Sequence, residues 1–295
     1  MSTTLKRIGL FLVTNLLVIL VVSAVGMIFK IDFTQGGYLG LLILCLLFGM
    51  TGAFISLWMS RWIAKKVYKI QLIDPLRASG RELQIYNTIK QMADYMRMPM
   101  PEVGIYNRPE VNAFATGASQ NSSLIAFSAG LVNKLNDDEL ASVAGHEMSH
   151  IQNGDMVTMT LLTGIANTFV MFFARVLAIA ISVAMRDNDR RGGGLGYMGY
   201  WLLVILLENV LMLLAYIPIC YFSRWREYRA DSGAARLTSP HAMINALLRI
   251  ESAYQQTPEK DSYAMAKISN HRKASLYSTH PSIEDRVKRL QQMAI

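Results

Sequence analysis

The sequence predicts a mainly α-helical membrane protein, with four transmembrane helices plus a cytosolic α+β domain that contains a small sheet. Three observations predict it. The chain of 295 residues is 52% hydrophobic and only 17% charged, with a mean hydropathy of +0.27, which is too apolar for an ordinary soluble domain. Residues 8–29, 38–59, 157–185 and 197–222 contain only Arg175 and Glu208 among Lys, Arg, Asp and Glu, and each reaches the roughly 20 residues that a helix needs to cross a hydrocarbon core. Most of the charge sits instead in 61–156 and 223–295, which are patterned as short helices and strands. Four parts follow: 1–60 with transmembrane helices one and two, 61–156 as the first part of the cytosolic domain, 157–222 as a transmembrane hairpin of helices three and four, and 223–295 as the second part.

The apolar run at 8–29 follows Lys6 and Arg7 and contains Ala24-Val25-Gly26, features shared with a cleavable signal peptide. It fills a whole span rather than the shorter ~7 to 15 residue core of a signal, which favours a helix that is retained. Lys6 and Arg7 place the N-terminus inside, and Arg61, Lys65, Lys66 and Lys69 crowd the far end of the second span, so both soluble segments are expected in the cytoplasm. Arg186, Arg190 and Arg191 in the outer turn run against that rule, although Asp187 and Asp189 accompany them. The two cysteines, Cys45 and Cys220, fall inside predicted spans and offer no disulfide framework, which fits a reducing compartment. A net charge of +8 raises nucleic acid as a partner, but ten basic side chains face ten acidic ones in 60–156, with no basic stripe. A solvated cytosolic surface and no nucleic-acid partner is the reading that follows.

Within 61–156, Leu83, Tyr86, Ile89, Met92, Ala93 and Met96 recur at helical period, predicting a helix over 81–97 with one buried face. Beyond Pro99 and Pro101, the runs 103–106, 111–116 and 123–128 are short, rich in β-branched and aromatic residues and broken by Asn, Pro and Gly, the pattern of a small sheet. Asn136 followed by Asp137, Asp138 and Glu139 is an N-cap with a capping box, opening a helix that Asn153-Gly154 stops. After the last span, 223–237 has no breaker before Gly233 and continues the membrane helix. The stretches 241–253 and 281–293 read as two further helices, whereas 255–279 is polar and without a clear period.

The helix predicted over 137–153 carries His146-Glu147-Met148-Ser149-His150. At about 100° per residue, positions i and i+4 lie on one face, so both imidazoles can reach one metal ion. Glu147 projects about 100° away, where its carboxylate reaches water at the metal rather than the metal. Zinc needs a third protein ligand and an open position. Position 156 is Met, which excludes a third histidine six residues past His150, and Asp155 lies beyond the helix stop and is better placed to support a ligand than to be one. Among His241, His271, Glu208 and Glu227, the hairpin returns Glu227 to the side from which the helix left, with Asp231 one turn further to accept a ring N–H. The alternative for Glu227 is a surface carboxylate balancing Arg224, Arg226 and Arg229. A zinc-binding membrane scaffold or holdase is the rival function, against which an intact Glu147 argues; a transporter, suggested by Arg175 and Glu208, is the third, with a structural pair between them the simpler account.

These residues carry a resemblance. The HEMSH motif with Asn153-Gly154-Asp155, the stretch 112–117, the stretch from Ser223 to Asp231 and Thr279-His280-Pro281 closely resemble the HtpX family of bacterial membrane proteases, of the gluzincin type and related to the zinc CaaX prenyl endopeptidases. The resemblance covers nearly the whole chain. It implies a multi-pass zinc metalloendopeptidase of the bacterial inner membrane, acting on unfolded or misassembled membrane proteins within the lipid bilayer under heat or envelope stress. It also implies that His280, with Arg286 downstream, stands near the oxyanion, and that Asn112, Ala113 and Phe114 begin an edge strand on which an extended substrate is laid. The expected mechanism has zinc on His146, His150 and Glu227, Glu147 as general base, and His280 assisting the oxyanion.

Overall fold

The structure, a computed structural model, describes residues 37–188, 195–256 and 276–293. The span expected at 8–29, most of the outer turn and most of 255–279 lie outside the described residues. In chain order the elements are α1 (Gly37–Tyr68), β1 (Gln71–Leu72), α2 (Gly80–Tyr95), β2 (Glu102–Tyr106), β3 (Ala113–Ser119), β4 (Ser122–Ser128), α3 (Ala129–Lys134), α4 (Asp137–Asn153), α5 (Asp155–Asn188), α6 (Gly196–Leu237), α7 (Pro240–Gln256) and α8 (Ile283–Met293). Among the described residues three helices, α1, α5 and α6, are long and apolar enough to cross a membrane, so the protein is a mainly helical, multi-pass membrane protein with a small mixed sheet. The chain forms two compact units, one taking residues up to Ser56 with Thr160–Ile219, the other Leu57–Met159 with Cys220–Ile295.

In the first unit, Arg175 Nη1 donates to Glu208 Oε1 at 2.6 Å and to the Met171 carbonyl at 2.9 Å. Two charges that would each be costly among apolar helices thereby neutralise one another.

The second unit contains a four-stranded sheet in the order β1-β2-β4-β3. β2 and β4 pair in parallel, while β1 with β2 and β3 with β4 are antiparallel. β4 is central, and Leu124, Ile125, Ala126 and Phe127 in it are fully buried, the continuous apolar run of a strand covered on both faces. β3 is left at the edge. The hydrophobic core joins Ile85, Ile89 and Met92 of α2, Ile125 and Phe127 of β4, Val143, Met148 and Ile151 of α4, and Met243, Leu247 and Ile250 of α7.

The helix boundaries have local causes. Asn136 Oδ1 accepts from the Glu139 amide at 2.8 Å while Glu139 Oε2 accepts from the Asn136 amide at 2.9 Å, so the capping box satisfies two donors that a helix N-terminus leaves open. At the other end Gly154 takes φ +65°, a left-handed conformation that glycine adopts without a Cβ clash, and α5 starts on the next residue. α6 runs from the apolar segment through Pro218 and Gly233 to Leu237, so 223–237 continues the membrane helix as expected. Elements without a sequence signal were the two-residue β1 and the short α3, whose Ser128 side chain accepts from the Leu131 amide.

Candidate metal centre

α4 and α6 cross at unusually short range. A Cβ on Gly145 would stand 3.3 Å from Ala234 Cα, and one on Gly233 would stand 2.2 Å from Ser149 Oγ and 2.8 Å from its Cβ. Gly145 and Ser149 are the residues immediately before His146 and His150. Small residues at the crossing therefore bring the two histidines of one helix against Glu227 and Asp231 of the other.

His146, His150 and Glu227 converge, with one ligand atom from each lying within 4.8 Å of the others, and all three are buried. The Nε2 atoms of the two histidines are 3.1 Å apart. Glu227 Oε2 is 3.5 Å from His146 Nε2 and Oε1 is 3.4 Å from His150 Nε2. Two ligand atoms each about 2.0–2.1 Å from a tetrahedral zinc stand ~3.3 Å apart, so each of these separations, with a different Glu227 oxygen facing each imidazole, is one that zinc ligands adopt. Both Glu227 oxygens are buried and have no hydrogen-bond partner among the described residues. Left so, each would cost roughly 1–3 kcal/mol; a cation shared with the imidazoles satisfies them. The donor set fits zinc.

Each histidine is backed by a carboxylate. His150 Nδ1 is 2.6 Å from Asp155 Oδ2, and His146 Nδ1 is 3.0 Å from Asp231 Oδ1. With Nδ1 of each ring turned to its carboxylate, Nε2 is the atom turned toward Glu227. The carboxylates are held in turn by arginines. Fully buried Arg286 grips Asp231 through Nε at 2.7 Å and Nη2 at 2.5 Å, the two-pronged geometry that favours Arg over Lys. Arg229 Nη2 donates to Asp155 Oδ1 at 2.9 Å while its guanidinium lies 4.8 Å over the Trp225 ring. Burial alone would pull the His146 imidazole below its ordinary pKa, but the Asp231 and Glu227 carboxylates outweigh it and raise it to about 9. The same contest, with Asp155 and Glu227 as the carboxylates, raises His150. A cluster that draws protons onto its imidazoles offers the negative potential a dication would use.

Among the other residues singled out in the sequence, Glu147 is buried beside His146 and lines the same cavity of about 310 Å³. His280 lines it as well, with Nδ1 3.0 Å from Glu227 Oε2 and both ring nitrogens without a hydrogen-bond partner among the described residues. Ala113 and Phe114 of the edge strand line it, joined by Ala115 and Thr116. Asn112 is not among the lining residues. It precedes the strand, buried, with its amide bonded to Ser128 Oγ and its carbonyl to the Ser128 amide. His241 stands at the start of α7, outside the group, and Glu208 is held by Arg175 in the other unit. Sequence reasoning placed Arg229 and Arg226 only as surface cations that Glu227 would balance, not as a partner of Asp155 or as a cavity-lining group. The i, i+4 spacing of Trp225 and Arg229 was the available sign for the former; the latter had none beyond its place next to Glu227.

Comparison with known proteins agrees in family and fold. The profile of peptidase family M48 matches residues 79–294. Protease HtpX of Idiomarina loihiensis is 44% identical over 292 residues, covering 98% of this chain and 99% of that one. Protease HtpX of Shewanella sp. strain W3-18-1 is 44% identical over 288 residues, with 97% and 99% covered. That of Acinetobacter baumannii strain AYE is 41% identical over 303 residues, with 98% and 99% covered. The crystal structure of Ste24p from S. mikatae superposes with a TM-score of 0.65 at 17% identity, covering 97% of this chain and 65% of that longer one, a likeness of fold. With the motif, the fold and these relatives together, the chain belongs to peptidase family M48, beside its HtpX members, and is a membrane metalloprotease.

Proposed function

We propose that the protein is a zinc-dependent endopeptidase of the bacterial inner membrane, cleaving misfolded or damaged membrane proteins and some cytosolic ones in quality control and stress response. One zinc per chain is held by His146, His150 and Glu227. The observation that carries this reading is the convergence of three buried groups, with the His146 and His150 Nε2 atoms 3.1 Å apart and one oxygen of Glu227 3.5 Å from the first, the other 3.4 Å from the second. The quality-control role and the inner-membrane location rest on the family resemblance of the motifs. Cytoplasmic placement rests on the basic residues flanking the second span, and a fourth span at 8–29 on that segment's length and lack of charge. The division into 1–60, 61–156, 157–222 and 223–295 belongs to the same reading.

Bound zinc supplies Lewis acidity, which activates water and polarises a peptide carbonyl. Glu147, turned about 100° from His146 on the same helix, takes the proton of the attacking water and delivers it to the leaving amine. His280 donates a ring N–H to the developing oxyanion. The free edge of β3, beginning after Asn112 and carrying Ala113 and Phe114, pairs with an extended substrate main chain. Asp155 and Asp231 hold the tautomers of the ligand histidines, and Arg286 holds Asp231.

The test separates the two glutamates. Glu147→Gln is expected to keep zinc near one per chain after dialysis and to lose casein digestion, because the base is gone and the ligands remain. Glu227→Gln is expected to lose zinc as well, since two imidazoles alone leave the ion weakly held. Equal zinc retention in the two variants would remove Glu227 from the ligand set.

A further inference from the structure

Arg226 lines the cavity together with His146, Glu147, His150, Glu227 and His280. Its Nε is buried and without a hydrogen-bond partner among the described residues, and the one carboxylate within ion-pair range among them, Glu227, is 3.7 Å away, beyond hydrogen-bond distance. The neighbouring arginines of the same helix have partners: Arg224 donates to the carbonyls of Leu276 and Ser278, and Arg229 to Asp155 through Nη2, its own Nε being buried without a partner among the described residues. A guanidinium with a buried, unsatisfied donor in a cleft is costly unless something that visits the cleft completes it.

Glu227 is a poor partner for it. Both its oxygens already face His146, His150 and His280, and on the function proposed above its charge is committed to the metal. With zinc in place, the dication and Arg226 exceed Glu147 and Glu227 by one positive charge among the cavity-lining groups. Such a cavity favours an anionic group on whatever enters it.

We propose that Arg226 forms a carboxylate-binding subsite of the catalytic cavity, so that the protease selects substrates with a carboxylate close to the scissile bond. The carboxylate comes from an Asp or Glu side chain or from the C-terminus of the substrate. Arg226 is thus a specificity-determining residue, and this inference rests on the endopeptidase reading.

Two arms test it, both on the full-length protein in detergent. In the first, wild type, Arg226→Gln and Arg226→Glu digest the same casein and a peptide mixture, and cut positions are mapped by mass spectrometry. Wild type is expected to show Asp, Glu or a free C-terminus enriched at one fixed position near the cut. Arg226→Gln should flatten that enrichment, and Arg226→Glu should move it to Lys and Arg at the same position. In the second arm, binding of labelled peptides is measured by anisotropy on zinc-loaded Glu147→Gln protein, which binds without cutting. Twins differing only as Glu against Gln, or as free acid against C-terminal amide, identify the source of the carboxylate. The acidic member of one pair is expected to bind roughly tenfold more tightly, the scale of one charge-assisted hydrogen bond, and that advantage should vanish in Glu147→Gln/Arg226→Gln. Unchanged sequence preference in the Arg226 variants, a uniform loss over all sequences, or equal binding of both pairs of twins would overturn the proposal. Zinc binding without any cleavage by wild type would sink the endopeptidase reading while the binding arm still decides on Arg226.

Discussion

His146 shows how residue-scale electrostatics couple to metal loading. Against the opposing effect of burial, the surrounding carboxylates hold its pKa at about 9, above the ordinary value of 6.5. A raised pKa means that protonation favours the folded state. This contribution is complete below about pH 6.5 and is lost as pH rises through about 9. Zinc must displace that proton, so its affinity is held down at low pH and released over the same window. The difference in Tm between zinc-loaded and chelator-treated protein is therefore expected to widen from pH 6.5 to pH 9. In Asp231→Asn, which removes a carboxylate that holds the proton, the widening should shrink, with zinc affinity lower by about 10 to 100-fold. A Tm difference that is flat or narrows over this range would contradict the assignment of His146 Nε2 to the metal. Asp231 has a second consequence: truncating Arg286 leaves its carboxylate buried without the guanidinium, so Arg286 is more than a distant surface charge.

Elements set what single residues can do. The HExxH helix is fixed in register by its capping box and by the left-handed Gly154, and both ends were readable from the order Asn136, Glu139, Gly154. Its partner was not. The close crossing of α4 and α6 depends on what a Cβ at Gly233 would meet, namely Ser149 Oγ at 2.2 Å and Cβ at 2.8 Å, and a contact across helices leaves no periodic trace in either one. Gly233→Val is expected to push the helices apart, because its branched side chain has no space against Ser149 and overpacking of this kind costs roughly 1–3 kcal/mol. The readout is zinc content, which should fall towards that of Glu227→Gln while helical content by circular dichroism is retained. Full zinc occupancy in folded Gly233→Val would show that the crossing does not set the ligand geometry. Ser149→Gly in the same background should restore part of the metal, since it empties the opposing position.

At the scale of the whole molecule, three described helices are apolar over enough length to span a membrane, and their few charges are paired or lie near their ends. The proposed orientation rests on the flanking cations: α1 carries Lys65 and Lys66 in its last turn, with Lys69 just beyond. Positive flanks resist translocation. A reporter fused after Leu135 or after Ile295 is therefore expected to behave as cytoplasmic. An external signal at either point would reverse the topology and place the site on the other face.

The sequence by itself determined the membrane class, the helix that carries the motif and its two histidines, and the strands that flank it, because spans, caps and strand alternation are local patterns with periods of a few residues. It also pointed to Glu227 as the candidate third ligand, through the return of the chain and the i+4 position of Asp231, and the structure brings Glu227 to the two histidines. Other features depended on distance in space. The parallel pairing of β2 with β4 leaves β3 as the edge beside the cavity, and the order of strands in a sheet is not written in any one strand. Arg229 reaches Asp155 and Arg286 reaches Asp231 from 74 and 55 residues away. Only the tertiary structure decided which arginine is spent on which carboxylate and which one, Arg226, is left facing the cavity. Charge pairing is settled by side-chain reach in three dimensions, and a sequence lists its charges without saying how far apart they come to rest.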